Sequence, residues 1–164
     1  MQVLAIDPGY SRMGLAIGSD AGILKCYDLI ETSSNLLFEK RLLICYQALE
    51  EAVSNNQIEL IVYEEPGKLF GKNSLLTPQV IACINLLVAK YNLKCIKYAP
   101  YQVKKAATLK ATADKSFVEE RVLKHFNINR TEFKLRFGNA KDDVADAIAV
   151  YLCYLSKNNI VIAA

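Results

Sequence analysis

The chain carries a single histidine, His125, set beside Phe126 in a helical stretch. A hydrolase triad built on it has no partner signal, so that class is set aside. Long apolar runs are also missing. The longest are broken by polar residues such as Asn85, and none is a candidate membrane span. The first residues lack the basic-then-apolar layout of a secretory leader, because Asp7 and Arg12 interrupt it. The five cysteines (Cys26, Cys45, Cys83, Cys95, Cys153) are odd in number, and no two stand at metal-ligand spacing. They read as small buried hydrophobes in a reducing compartment, which suggests a cytoplasmic, intracellular protein. Repeats, low-complexity tracts and linkers are absent, and 164 residues suit one domain, residues 1–164. Net charge is small: 20 basic against 17 acidic residues leave +3. Where the charge sits therefore matters more than its sum.

What is present is organised around residues 1–18, MQVLAIDPGYSRMGLAIG. Gln2 to Ile6 reads as a buried strand, and Asp7 ends it before Pro8-Gly9 turns the chain. Met13 to Ile17 returns as a second strand, so an ionisable residue sits at the rim of the hairpin. An acid there is costly to desolvate unless something pairs with it, and a cation is one such partner. Capping of the turn by Asp7 is the other reading.

Gly22 to Ile30 reads as a third strand, completing an antiparallel meander. Leu36 to Val53 follows as a helix, with Leu36, Leu43, Tyr46, Leu49 and Val53 near helical spacing. Ile58 to Tyr63 is a fourth strand, running into Glu64-Glu65-Pro66-Gly67 and repeating the Asp7 design. Leu75 to Lys90 is apolar nearly all round and predicts a well-buried helix. Lys94 to Ala99 is a fifth strand. Tyr101 to Leu109 and Phe117 to Phe126 predict helices, the second with a Ser116/Glu119 capping box. Asn127 to Asn139 reads as a loop, and Asp142 to Ser156 as the last helix. Its alanines, Ala145, Ala147 and Ala149, suit close approach to a sheet. The expected fold is α/β: a mixed five-stranded sheet, three antiparallel strands then parallel ones, flanked by helices. The first and fourth strands, apolar on both faces, are the expected central neighbours. If parallel, they bring Asp7 and Glu64 to one sheet edge.

The last helix opens with Asp142, Asp143 and Asp146. Asp146 shares a face with either of the other two, and acids in a first turn also suit the helix dipole. Asp146 borders the apolar stripe, where the dipole alone explains it less well. Carboxylates converging from Asp7, Glu64 and this helix would repel unless cations lay between them. Hard oxygen ligands select Mg²⁺ or Mn²⁺. A carboxylate-held ion pair about 3.5–4 Å apart is a recurring device for in-line attack on a phosphodiester.

The segments DPGYSRMGLAI, VYEEP and DDVADAIAV, with YAPYQVKK (Tyr98 to Lys105) and Ala113-Asp114-Lys115, closely resemble the RuvC family of Holliday-junction resolvases. The resemblance covers essentially the whole chain, in order. It implies an RNase H-like fold and a metal-dependent crossover junction endodeoxyribonuclease of DNA recombination and repair. It implies Asp7, Glu64, Asp143 and Asp146 as catalytic acids and metal ligands. It selects Asp143 over Asp142 and Glu64 over Glu65, which alternation puts on the opposite strand face. Two Mg²⁺ ions per site, with Mn²⁺ able to substitute, four-way or otherwise branched DNA, a homodimer and branch-migration motor proteins are its implied partners. Leu75 to Lys90 is the candidate dimer contact, although burial against its own sheet explains its composition equally well.

Lys97 to Lys124 is the one sizeable basic stretch. Lys104 and Lys115 match family positions that hold DNA phosphates, and Lys105 and Lys110 join them as candidate DNA-binding residues. Arg121 and Lys124 read as a solvated face. Phe70 follows Glu64 in a loop where the family usually has an aromatic, which could wedge between bases at a branch point. The sequence departs from the family at Pro66-Gly67, and a buried loop anchor is the competing role for Phe70. GKLFGK (Gly67 to Lys72) is one residue short between its glycines for a phosphate loop, and Asn73 stands where Ser or Thr belongs. Two alternatives to junction resolution are a YqgF-type RNase H-like nuclease acting on ribosomal RNA precursors and a non-catalytic branched-DNA binder. The full DDVADA helix argues against the first, and the presence of all four acids against the second.

Overall fold

The computed structural model describes residues 1–67 and 73–160. In chain order the strands are β1 (Gln2–Asp7), β2 (Arg12–Ser19), β3 (Leu24–Glu31), β4 (Leu60–Glu64) and β5 (Lys94–Tyr98). The helices are α1 (Phe38–Asn55), α2 (Asn73–Tyr91), α3 (Pro100–Thr108), α4 (Lys115–His125), α5 (Arg130–Phe137) and α6 (Lys141–Lys157), with a short 3-10 turn at Gly138–Ala140 before the last. The sheet order is β3-β2-β1-β4-β5. β1 pairs antiparallel with β2 and parallel with β4, and β4 pairs parallel with β5. The expected mixed sheet, with the first and fourth strands adjacent, is what forms.

Residue alternation sorts the central strands between two cores. Val3 and Ala5 of β1, with Leu60 and Val62 of β4, face the layer of α3, α4, α5 and α6. Leu4 and Ile6, with Ile61 and Tyr63, face α1 and α2. Such strands must be apolar throughout, which is how both read in the sequence. The edge strands have less cover. Cys26 on β3 and Cys95 on β5 are exposed, so the expectation of five buried cysteines holds only for Cys45, Cys83 and Cys153.

α6 lies against the sheet because both partners are small at the contact. A Cβ on Gly14 would strike the Asp143 carbonyl, and one on Gly18 would strike the Tyr151 ring. Tyr151, fully buried, donates its hydroxyl to the carbonyls of Ser19 (2.6 Å) and Ile23 (3.1 Å), which ties the middle of α6 to the β2–β3 turn.

Four local expectations are corrected. The predicted loop Asn127 to Asn139 contains α5. Its cap is Asn129, whose side chain accepts from the backbone N–H groups of Thr131 and Glu132, and it buries Phe133 and Phe137. Polar composition hid two aromatics at four-residue spacing, which is one helix face. The cap of α4 is Asp114, which accepts from the Phe117 N–H at 2.8 Å, in place of a Ser116/Glu119 box. Glu119 is buried instead, with Arg130 Nε at 3.0 Å, Lys141 Nζ at 3.3 Å and Lys134 Nζ at 3.8 Å. Three cations answer that desolvated acid, and the cluster joins α4 and α5 to the first turn of α6. On α1, Cys45, Leu49 and Val53 are buried while Leu43 stays exposed, as does Leu36 before the helix. α2 buries Val80, Ile84 and Leu87 but leaves Leu86 61% exposed, so it is covered on one side only.

Candidate active site

Three elements end at one place. The β1–β4 register pairs Ile6 with Tyr63. One step further, Asp7 and Glu64 lie at the carboxyl ends of adjacent parallel strands, the usual location of sites in such sheets. On the other side, Asp7 pairs with Gly14, the residue whose missing side chain admits the backbone of Asp143. The first turns of α6 thus bring Asp143 and Asp146 to the same edge.

Electrostatics record the convergence. Asp7 is raised well above the usual carboxylate range by burial, then by repulsion from Asp146, Glu64 and Asp143. Burial and the Asp146 charge push Glu64 up to about 7, against opposing attraction from Lys104 and Lys115. Asp146 and Asp143 are also raised, chiefly by burial. Lys115 Nζ stands 3.2 Å from Asp146 Oδ2. Burial works against the charge of Lys115, but Asp146, Asp7 and Asp143 together outweigh it and raise its pKa.

The neighbouring acids are engaged elsewhere. Glu65 pairs with Lys97 at 2.7 Å, and Asp142 with Lys141 at 2.9 Å. The structure therefore brings together Asp7, Glu64, Asp143, Asp146 and Lys115, with Lys104 within electrostatic reach of Glu64. Lys105 lies on another side of α3, and Lys110 lines a shallow hollow with Asp114 and Glu120. Phe70 falls outside the described residues.

Arg12 is the residue that sequence reasoning missed. Its Nε is 3.3 Å from Asp143 Oδ2, and its Nη1 donates to the Asn139 carbonyl at 3.0 Å. A basic residue in the turn that follows an acid-tipped strand was the available signal.

The donor set suits a hard cation: four carboxylate side chains, no thiolate or imidazole among them, each made harder to ionise by burial. Among the described residues no three acidic, histidine or cysteine side chains already form a ready cage. Asp146 leans on Lys115 and Asp143 on Arg12. Both contacts are ion pairs of partly exposed cations, the kind that yields to a competing charge.

A five-stranded mixed sheet in this strand order, flanked by helices, defines an RNase H-like fold, and acids stand at the ends of its two central strands and on the facing helix. Comparison with known proteins makes this specific. The family profile of crossover junction endodeoxyribonuclease RuvC matches residues 3–154. Crossover junction endodeoxyribonuclease RuvC of Caldicellulosiruptor saccharolyticus is 32% identical over 170 residues, covering 99% of this chain and 96% of the relative. That of Finegoldia magna is 32% identical over 166 residues, covering 94% and 93%. Among solved structures, Thermus thermophilus RuvC in complex with Holliday junction substrate superposes with a TM-score of 0.79 at 18% identity, over 98% of this chain and 97% of that one. The chain belongs to the RuvC family of Holliday-junction resolvases. Nucleases of this family are metal-dependent.

Proposed function

We propose that this protein cuts four-way DNA junctions by metal-dependent phosphodiester hydrolysis, with Asp7, Glu64, Asp143 and Asp146 as its catalytic carboxylates. The observation that carries this is the meeting of the four acids, with Lys115 on Asp146, where β1, β4 and α6 come together. These acids would hold a pair of Mg²⁺ ions, with Mn²⁺ as the alternative hard cation. Bound there, the ions supply charge for the scissile phosphate and lower the pKa of an attacking water.

The chain's own groups do the rest. The β1–β4 pairing fixes Asp7 and Glu64 on rigid backbone, and the glycine contact fixes the α6 acids against them. Lys115 and Lys104 offer positive charge beside the acids, where a phosphodiester must come. Lys115 has the shorter path, since its ammonium already stands at the carboxylates. Arg12 borders the same edge and can exchange Asp143 for a phosphate, which a planar guanidinium also binds through two parallel hydrogen bonds.

Two symmetric nicks need two sites facing one junction, which a two-fold dimer supplies. The uncovered side of α2, with Leu86, is the surface we assign to the second copy. The test is a cleavage assay on four-way junction, flap, duplex and RNA hairpin substrates, with Mg²⁺ and with EDTA. Preferential, Mg²⁺-dependent cutting of the four-way junction is expected. Equal cutting of duplex, or a preference for the RNA hairpin, would refute the proposal.

A further inference from the structure

On the side of α3 away from the acids lies a groove that the nuclease chemistry does not use. Its main cavity holds about 470 Å³ between α3, α4 and the end of α6. Ala106, Leu109, Leu152 and Ile160 give it apolar walls, and Arg121 and Lys124 stand along it. Leu109 also lines an adjoining cavity of about 380 Å³, where Tyr101, Lys105 and Lys157 join it. No aspartate or glutamate lines either cavity among the described residues. Four cations around apolar walls, with no acid among them, is an asymmetric arrangement in a chain whose net charge is only +3.

Leu109 gives the second observation. It closes α3 with a left-handed backbone, φ 63°, and keeps 80% of its surface exposed. That conformation is rare for a bulky residue and suits glycine or asparagine. Neither its backbone nor its burial accounts for an apolar side chain at this point. Tyr101, two turns earlier on α3, is 60% exposed on the same groove. α6 carries Asp146 near one end and Ser156, which lines the groove, near the other. Ten residues of helix put them about 15 Å apart along its axis. An occupant of the groove therefore leaves the carboxylates open.

We propose that this groove docks an acidic peptide segment of another protein, one whose apolar side chains enter between Leu109 and Leu152 while its carboxylates meet Arg121, Lys124, Lys105 and Lys157. Charge complementarity selects an anion, and the apolar walls select a peptide over a DNA strand, whose phosphates would leave them unfilled. The cavity volume falls within the range of sites that enclose a few side chains.

The test uses the full chain and a fluorescein-labelled hexapeptide of four aspartates followed by leucine and phenylalanine, read by anisotropy. Controls replace the aspartates with lysines, or the last two residues with serines. The first peptide is expected to bind saturably and both controls to fail. Lys124→Glu should weaken binding about tenfold, equivalent to about 1.4 kcal/mol. Leu109→Gly, which suits the left-handed backbone and so keeps the fold, should weaken it severalfold. Both variants should melt near the wild type and bind four-way junction DNA as the wild type does. No saturable binding, or equal binding by both variants, would overturn the proposal. So would a matching loss of junction affinity in both variants, which would mark the groove as a DNA track.

Discussion

Glu64→Gln is expected to stabilise the metal-free protein while abolishing cleavage. In the folded chain the Glu64 carboxyl is held up to about 7, against 4.5 for a free glutamate. A raised acid is a penalty on the folded state once the group ionises. Below pH 4.5 both states are protonated and no penalty exists. It grows as pH rises between 4.5 and about 7, and is full above that. At about 1.4 kcal/mol per pH unit its ceiling is about 3 kcal/mol, and partial solvent access reduces this to about half. Glutamine keeps the shape of the protonated form and cannot ionise. The variant should therefore melt about 3–6 °C above the wild type at pH 8 in EDTA. At pH 5 most of that gap should close. Differential scanning calorimetry across this pH range measures it directly. A variant that melts at or below the wild type at pH 8, or a gap independent of pH, would mean that burial and the Asp146 charge do not raise the Glu64 carboxyl.

Four further outcomes are expected. Asp7→Asn and Asp146→Asn should each abolish junction cleavage with near-normal junction affinity in gel-shift titrations, since neither removes a cation that meets phosphate; ordinary turnover by both would sink the assignment. Lys104→Ala and Lys115→Ala should weaken junction binding and lower the log–log salt slope by about 0.9 each. Gly14→Ala, which drives a methyl into the Asp143 carbonyl, should cost about 1–3 kcal/mol in denaturant melts and lose cleavage with it. Phe70→Ala should impair cutting of intact junctions more than of junctions with bases already unpaired at the crossover, because stacking returns about 1–3 kcal/mol per base only where pairs must still be opened; equal loss on both substrates would remove the wedge role.

The sheet was legible because β1 and β4 bury both faces, and continuous apolar runs ending in an acid and Pro-Gly cannot easily be read otherwise. The strand ends marked Asp7 and the Glu64-Glu65 pair as candidates, and family likeness chose Glu64 between the two. Choosing Asp143 over Asp142 needed family likeness, since helix spacing allows either. In the structure the two side chains take different partners, Asp142 pairing with Lys141 and Asp143 with Arg12. α5 was missed because its information lies in two buried aromatics inside a polar segment. Glu119 was missed because the three cations that permit its burial come from two later elements. Arg12 carried only the weak signal of a basic residue after an acid-tipped strand, because its partners, Asp143 and Asn139, are distant in sequence.

The docking of α6 on Gly14 has a kinetic side. The β1–β2–β3 meander can pair through short loops, but Asp143 and Asp146 reach Asp7 only after the chain has passed through β4, β5 and the five helices α1 to α5. Any intermediate that lacks the helix on its sheet holds half of the acid cluster, and any sub-global opening that releases the helix divides the cluster again. Under the proposed function, cutting therefore requires α6 to be seated on Gly14.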